Sequence, residues 1–407
     1  MEIKTKYQYT YFIYPYVVEE NKYEKHLYKL LTNKHCKLKQ FNKTKEDRFF
    51  QFFLPKAREY MFWNLGYQKT KIEKLKDFDE KMQAVLLNKY PCTIFEYDIL
   101  KDIQGKAGKD VGVFFNINKI EIVCFKTGIC FLLIKTVLDE KSSLQEVCDF
   151  NYQFRDINTN KKKVKNNDNI KVQTDAFKNA KNIYSFIREI TGNNKGAREL
   201  NIDTERFITY SYASIDEKYF VDSSKQSKLE VEFRKFANIE PSNTTSHLVL
   251  SDTLEMIPNT KYGFKSNSTV LLTSDDKTKN GKLLADKYEN EYLYSYIYSL
   301  HKKIYLKKIN QDFKTQISFK KTREKFIHFT NHTMIEEITN DTTGADLVEE
   351  WENALNTKNA FAETKQKYDM LYKNSNIEKT AKSNKIIIII LIIIVIINII
   401  NSLNLFH

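Results

Sequence analysis

His328, His332 and Glu336 stand at i, i+4 and i+8 in the run FIHFTNHTMIEE, so a helix there would set two imidazoles and a carboxylate on one face, a donor set suited to a divalent cation. Phe329 occupies the position where a metalloprotease helix carries its general-base glutamate, so no catalytic metal is read from the spacing. An ordinary polar helix face accounts for the same three residues. Near the C-terminus Asn398, Asn401 and Asn404 recur every third residue. On a helix each step drifts by only about 60°, so the three amides share a side. There they could hydrogen-bond between associated helices or line a narrow wet path; alternatively they emerge among lipid headgroups.

Other chemistry-bearing residues do not converge. The adjacent acids Asp275-Asp276, Glu336-Glu337 and Glu349-Glu350 would point about 100° apart on a helix, which is no arrangement for general acid and base work at one atom. No phosphate-binding GxxxxGK[ST] or GxGxxG, no nucleophile elbow GxSxG and no kinase set occurs. GKAGKDVG, Gly105 to Gly112, lacks the spacing of a phosphate loop and reads as a flexible loop. The five cysteines, Cys36, Cys92, Cys124, Cys130 and Cys148, form no CxxC and no metal-finger spacing, so reduced thiols inside the fold are expected. No catalytic residue and no cofactor is assigned, with a divalent cation the one small ligand left in view, and the expectation is a protein that is not an enzyme.

The formal charge is +13, but lysine far outnumbers arginine, and Asn, Ile, Tyr and Phe are abundant too. All have A/T-rich codons, so the basicity need not be a nucleic-acid footprint; attraction to anionic headgroups is the electrostatic role expected. Lys4 and Lys6 lead into Tyr7, Tyr9 and Tyr11, an alternation that fits a base-stacking platform but fits a tyrosine-lined strand face better. The other class left open is a membrane-tethered enzyme that acts on nucleic acid or nucleotides through a basic surface, with Lys161, Lys162 and Lys163 as its test residues.

Strand patterns cover Tyr7 to Val18, Cys92 to Tyr97, Arg206 to Tyr212, Ser246 to Leu250 and Ser268 to Thr273, and a helix is expected over Tyr23 to Leu31. Between Asp47 and Trp63 the phenylalanine cluster and Pro55 suggest a strand or turn before a short helix from Arg58. IEIVCF (Ile120 to Phe125), the turn Lys126-Thr127-Gly128 and ICFLLIKTV (Ile129 to Val137) make a hairpin. Its second strand is apolar on both faces and should lie centrally in the sheet. Ser143 and Glu146 fit a capping box that opens a helix. The polar run from Asn158 to Ile170 reads as a surface loop.

The fold expected is a mixed α+β domain over residues 1–281, then a helical stalk over 282–380, with segments at Ala285 to Ile309, Thr322 to Ile338 and from Ala345 on. Ile386 to Ile397 is an unbroken run of isoleucine, leucine and valine, and counted to Phe406 the segment would make about 31 Å of helix, the thickness of a bilayer core. It has no polar face for a buried core helix to leave exposed. Lys379, Lys382 and Lys385 precede it, so the N-terminal part should be cytoplasmic. MEIKTKYQYTYFIYPYVV has no stretch apolar enough for a signal peptide, and the expectation is a tail anchor.

This order of parts, with the aromatic stretch YLYSYIYSLHKKIYL, the run FIHFTNHTMIEEITNDTTGADLVEEWENAL, DFNYQFRD (Asp149 to Asp156) and the hairpin at Thr127-Gly128, resembles the CorA-like membrane proteins, relatives of divalent-cation channels. The resemblance implies a long stalk helix, a homo-oligomer with a pentamer as the family's form, and a pore lined by the transmembrane helix. The chain carries neither that family's Gly-Met-Asn signature nor its second transmembrane helix. It also implies that the cytosolic domain senses a ligand, a divalent cation or a nucleotide signal; a scaffold that recruits a partner to the membrane is the plainer form of the same reading.

Overall fold

Aromatic and β-branched residues fill the opening segment TKYQYTYFIYPYV, which forms strand β1 (Thr5–Val17). Helix α1 (Tyr23–Leu31) and the short strand β2 (Cys36–Leu38) follow. The phenylalanine cluster expected as a strand or turn is a helix instead, α2 (Lys43–Phe52). Asn42 caps it by accepting from the Lys45 backbone N–H at 2.9 Å, and Phe49 and Phe52 turn inward. Pro55 opens α3 (Pro55–Met61) at a position where its missing N–H has no partner to lose. The structure, a computed structural model, describes residues 2–65, 73–98, 103–107, 113–157, 170–173, 181–192, 200–244, 253–254, 257–274, 279–314 and 319–404.

After α4 (Glu80–Leu87), β3 (Cys92–Tyr97) and β4 (Ile103–Ala107), the expected hairpin appears as β5 (Val113–Phe125) and β6 (Ile129–Val137), with Gly128 taking φ 82° in the turn. Ile129 to Ile134 are fully buried, and β6 lies between β1 and β5, as its two-sided apolar sequence requires. The Ser143–Glu146 capping box opens α5 (Leu144–Phe154). Then come β7 (Ile170–Gln173), β8 (Lys181–Asn182), α6 (Ile183–Thr191), β9 (Ile208–Ile215), α7 (Ser223–Asn238), β10 (Thr253–Leu254), β11 (Thr260–Lys265) and β12 (Ser268–Ser274). The strand expected over Ser246 to Leu250, the polar loop from Asn158 and Lys161 to Lys163 lie outside the described residues.

The described strands form one mixed sheet of twelve, in the order β10-β11-β12-β9-β1-β6-β5-β4-β7-β8, with β3 beside β5 and β2 beside β3. Only β9 and β12 pair in parallel. Alternation along each strand divides the core into two chemistries. One face is apolar, where Phe12, Ile122, Leu132 and Ile134 pack with Leu27, Leu87, Val147 and Phe233. The other is lined by tyrosine, including Tyr9, Tyr11, Tyr210 and Tyr212, all buried.

Gly105, expected in a flexible loop, lies in β4 opposite Phe115. A Cβ there would run into the Phe115 ring, which packs at 5.1 Å from Phe150 and 4.9 Å from Phe154. Gly105→Val is therefore expected to destabilise the fold by about 1–3 kcal/mol through overpacking, and a denaturant midpoint equal to that of the unaltered chain would contradict this placement.

Helix α8 (Lys279–Lys287) leads through a π turn (Tyr288–Tyr292) into α9 (Leu293–Lys314). Every residue from Asn290 to Lys302 is buried, so this segment is a core helix where the sequence suggests a stalk. The tyrosines of YLYSYIYSL leave no polar stripe, which is the pattern of a helix covered all round. The remaining helices are α10 (Phe319–His328), α11 (Thr342–Ala354) and α12 (Thr357–Asn404), with a second π turn at Phe329–Thr333.

The chain divides into two compact units. One is Met1–Tyr305 with His332–Thr357, so the first body continues past residue 281; Trp351 of α11 donates its ring N–H to Thr269 Oγ1 at 3.0 Å within it. The other is Leu306–Asn331 with Lys358–His407, where Phe326 sits 5.1 Å from Tyr368 and 5.9 Å from Phe361. Within α12, 48 residues long, Thr380–Ile399 is long and apolar enough to cross a membrane, with mean hydropathy 2.3 and none of it buried.

Candidate functional site

Charge crosses the tyrosine face of the sheet where strand sequences are otherwise apolar. Lys119 and Lys135 are register partners on β5 and β6, and Glu121 and Glu96 are partners on β5 and β3. Lys39, just after β2, reaches in beside them. Glu121 is fully buried, yet it has three donors: Lys39 Nζ in a close ion pair, Lys119 Nζ at 3.1 Å and the Tyr294 hydroxyl at 3.0 Å. Lys39 also meets Glu96 at 3.2 Å.

The second half of the network hangs from the π turn. Glu289 accepts from Lys135 Nζ at 2.7 Å and from the Tyr11 hydroxyl at 3.0 Å, and Lys135 Nζ lies 4.6 Å above the Tyr9 ring. Arg48 of α2 grips Glu291 through two nitrogens at 2.8 and 2.9 Å and pairs with Asp286 as well. The extra residue of a π turn shifts the helical register locally, and such turns are frequent at functional sites.

Electrostatics keep Glu121, Glu289 and Lys39 ionised, whereas burial raises the Glu291 carboxyl against the pull of Arg48. Burial pushes the Glu121 carboxyl up, but Lys119 and Lys39 outweigh it and bring it down to about 2. Glu289 is likewise lowered, burial being overcome by Lys135 and Lys119. Lys39 is raised because Glu121 and Glu96 overcome its burial. Lys45 goes the other way: burial lowers it, and the neighbouring charges of Lys119 and Lys39 lower it further.

No known family model, curated protein or solved structure matches this chain. Geometry and sequence are therefore what the functional reading stands on.

The residues picked out by spacing fare differently. Helix α10 ends at His328, and the π turn that holds His332 stops at Thr333, so Glu336 lies off the helix and the expected face of His328, His332 and Glu336 does not form. Thr333, fully buried, is held by the Tyr60 hydroxyl at 3.2 Å, and the Tyr298 hydroxyl bonds its carbonyl and accepts from the Ile335 N–H at 3.3 Å. These bonds replace the next helical turn. His328 and His332 also fall in different units. Asn398, Asn401 and Asn404 all lie within α12, and Asn398 is exposed.

Among the described residues, one group of His, Cys, Asp and Glu side chains converges closely enough to hold a metal ion: His26, Cys124 and Cys130. Spacing gave no hint of it, because the three come from α1 and from the two strands of the hairpin. The charged network had a readable signal: a glutamate inside IEIVCF, a lysine inside ICFLLIKTV and two glutamates inside YENEY.

Proposed function

We propose that this chain is a single-pass membrane protein, tail-anchored by the apolar part of α12, whose N-terminal unit is a ligand-sensing or scaffold domain in the cytoplasm. The observation that carries this reading is the unbroken apolar run Ile386 to Ile397 within Thr380–Ile399, its isoleucines about half exposed, such as Ile386 at 59% and Ile397 at 49%. Such a surface is suited to a hydrocarbon partner. Lys379, Lys382 and Lys385 at its N-terminal side support the cytoplasmic orientation.

The tyrosine face supports sensing rather than catalysis. Its lysines are matched by carboxylates, and the Tyr9, Tyr11, Tyr210 and Tyr294 hydroxyls donate to fixed partners, so these groups are positioned by one another. The alternative of a basic surface working on nucleic acid has less support, because Lys39, Lys119 and Lys135 are neutralised internally.

Assembly through the anchor, as in the CorA-like proteins, is part of the proposal. Light scattering on the full chain in detergent, corrected for micelle mass, should give a discrete oligomer, and Asn398→Leu should lower its order. One chain per micelle would remove the bundle and leave a tethered domain.

A further inference from the structure

Tyr16, Cys130, Cys124 and Thr93 stand side by side across four neighbouring strands. Tyr16 pairs with Cys130 between β1 and β6, Cys130 with Cys124 between β6 and β5, and Cys124 with Thr93 between β5 and β3. Register partners share a face, so this row lies on the apolar side of the sheet, under α1. From α1, His26 comes down on it. One ring nitrogen of His26 and the Cys124 and Cys130 sulfurs all lie within 4.8 Å of one another. Both thiols are free and fully buried, and His26 is 8% exposed. The Tyr16 hydroxyl is 3.0 Å from His26 Nε2, and Tyr16 is the register partner of Cys130. Thr93 Oγ1, buried beside Cys124, has no hydrogen-bond partner.

We propose that His26, Cys124 and Cys130 form a binding site for a thiophilic d10 cation, with Zn2+ the natural occupant and Tyr16 as the fourth donor. Two thiolates and an imidazole are soft ligands that disfavour magnesium and calcium and suit a tetrahedral ion. Zinc bond lengths put tetrahedral ligand atoms about 3.5–3.8 Å apart, so closure around the ion needs only small side-chain rotations within the present spacing. Charge balance favours the site too. Two thiolates neutralise a divalent ion, and the neutral cluster can sit in an apolar core where a lone thiolate could not. Loading forms two metal–sulfur bonds, one metal–nitrogen bond and one metal–oxygen bond to the Tyr16 hydroxyl, which keeps its proton, and the two thiol protons leave to solvent. Because every donor is buried, the ion acts as a staple that fixes α1 to the hairpin. The site is separate from the charged network, which occupies the opposite face.

The test uses the full chain in detergent, isolated without chelator and equilibrated with Zn2+. Plasma mass spectrometry should find about one zinc per chain, background in C124A/C130A, and no change in Cys148→Ala, which removes a buried thiol elsewhere. With Co2+ in place of zinc, the unaltered chain should show a thiolate-to-cobalt charge-transfer band in the near ultraviolet. Equal zinc in the unaltered chain and C124A/C130A would overturn the proposal. So would a cobalt spectrum without that band, which decides the matter even if the double variant does not fold. A disulfide joining Cys124 to Cys130 in the freshly isolated protein would overturn it as well.

Discussion

Ile390→Lys with Ile394→Lys is expected to move the protein from the membrane to the soluble fraction. The two positions lie one turn apart inside Thr380–Ile399, 50% and 47% exposed, so lysines there face whatever surrounds the helix. Each lysine at the centre of a spanning helix costs about 2.5–3.5 kcal/mol, and together roughly 6 kcal/mol, or about four orders of magnitude in partition. Ile377→Lys is the control, since Ile377 is 67% exposed and precedes the apolar segment. Retention of the double variant in the membrane would show that this helix is not what holds the protein there.

Glu121→Gln should be the most damaging single change in the folded unit. It leaves Lys39, whose side chain is 4% exposed, without its closest counter-charge, while Glu96 on the other side is 44% exposed and screened. Breaking a buried pair from one end costs about 3–5 kcal/mol, and urea melts of the two forms measure it. Adding Lys39→Met should recover part of the loss, because the unpaired charge goes with it. The pH dependence has a definite sign. The folded carboxyl titrates at about 2, below its ordinary value near 4.5, so its contribution is complete above about pH 4.5 and is lost as the pH falls toward 2. The stability gap between the unaltered chain and Glu121→Gln should therefore narrow by about 2 kcal/mol between pH 6 and pH 3. A gap that stays constant would mean that Glu121 is not held by Lys119 and Lys39.

Local features were readable wherever local chemistry decides them. The β5–β6 hairpin, α1, β3 and the Ser143–Glu146 box follow from alternation, turn residues and capping. Where packing overrides local preference, reading failed. The Phe49–Phe53 cluster suggests a strand or turn by composition, but it closes α2, which Asn42 caps at the start, and Pro55 opens α3 just beyond it. The segment from Ala285 looked like a stalk because its leucines and isoleucines repeat at helical spacing. Its tyrosines, which bury against Tyr210 and Trp351, make it part of the core. The face of His328, His332 and Glu336 depended on a helix that Tyr298 and Tyr60 terminate, tertiary contacts that no spacing reveals. The charged row and the His26–Cys124–Cys130 cluster arise from strand register, so distant residues meet only once the sheet is built.

The proposed membrane anchor is tested most directly by alkaline extraction of membranes that carry the full chain. High pH strips proteins held by charge or by other proteins and leaves those whose helices cross the bilayer. The full chain should stay with the membrane pellet, and its N-terminal unit should be cut by protease added from the cytoplasmic side. Release into the supernatant at high pH would contradict the anchor, and with it the cytoplasmic sensor that we place on it.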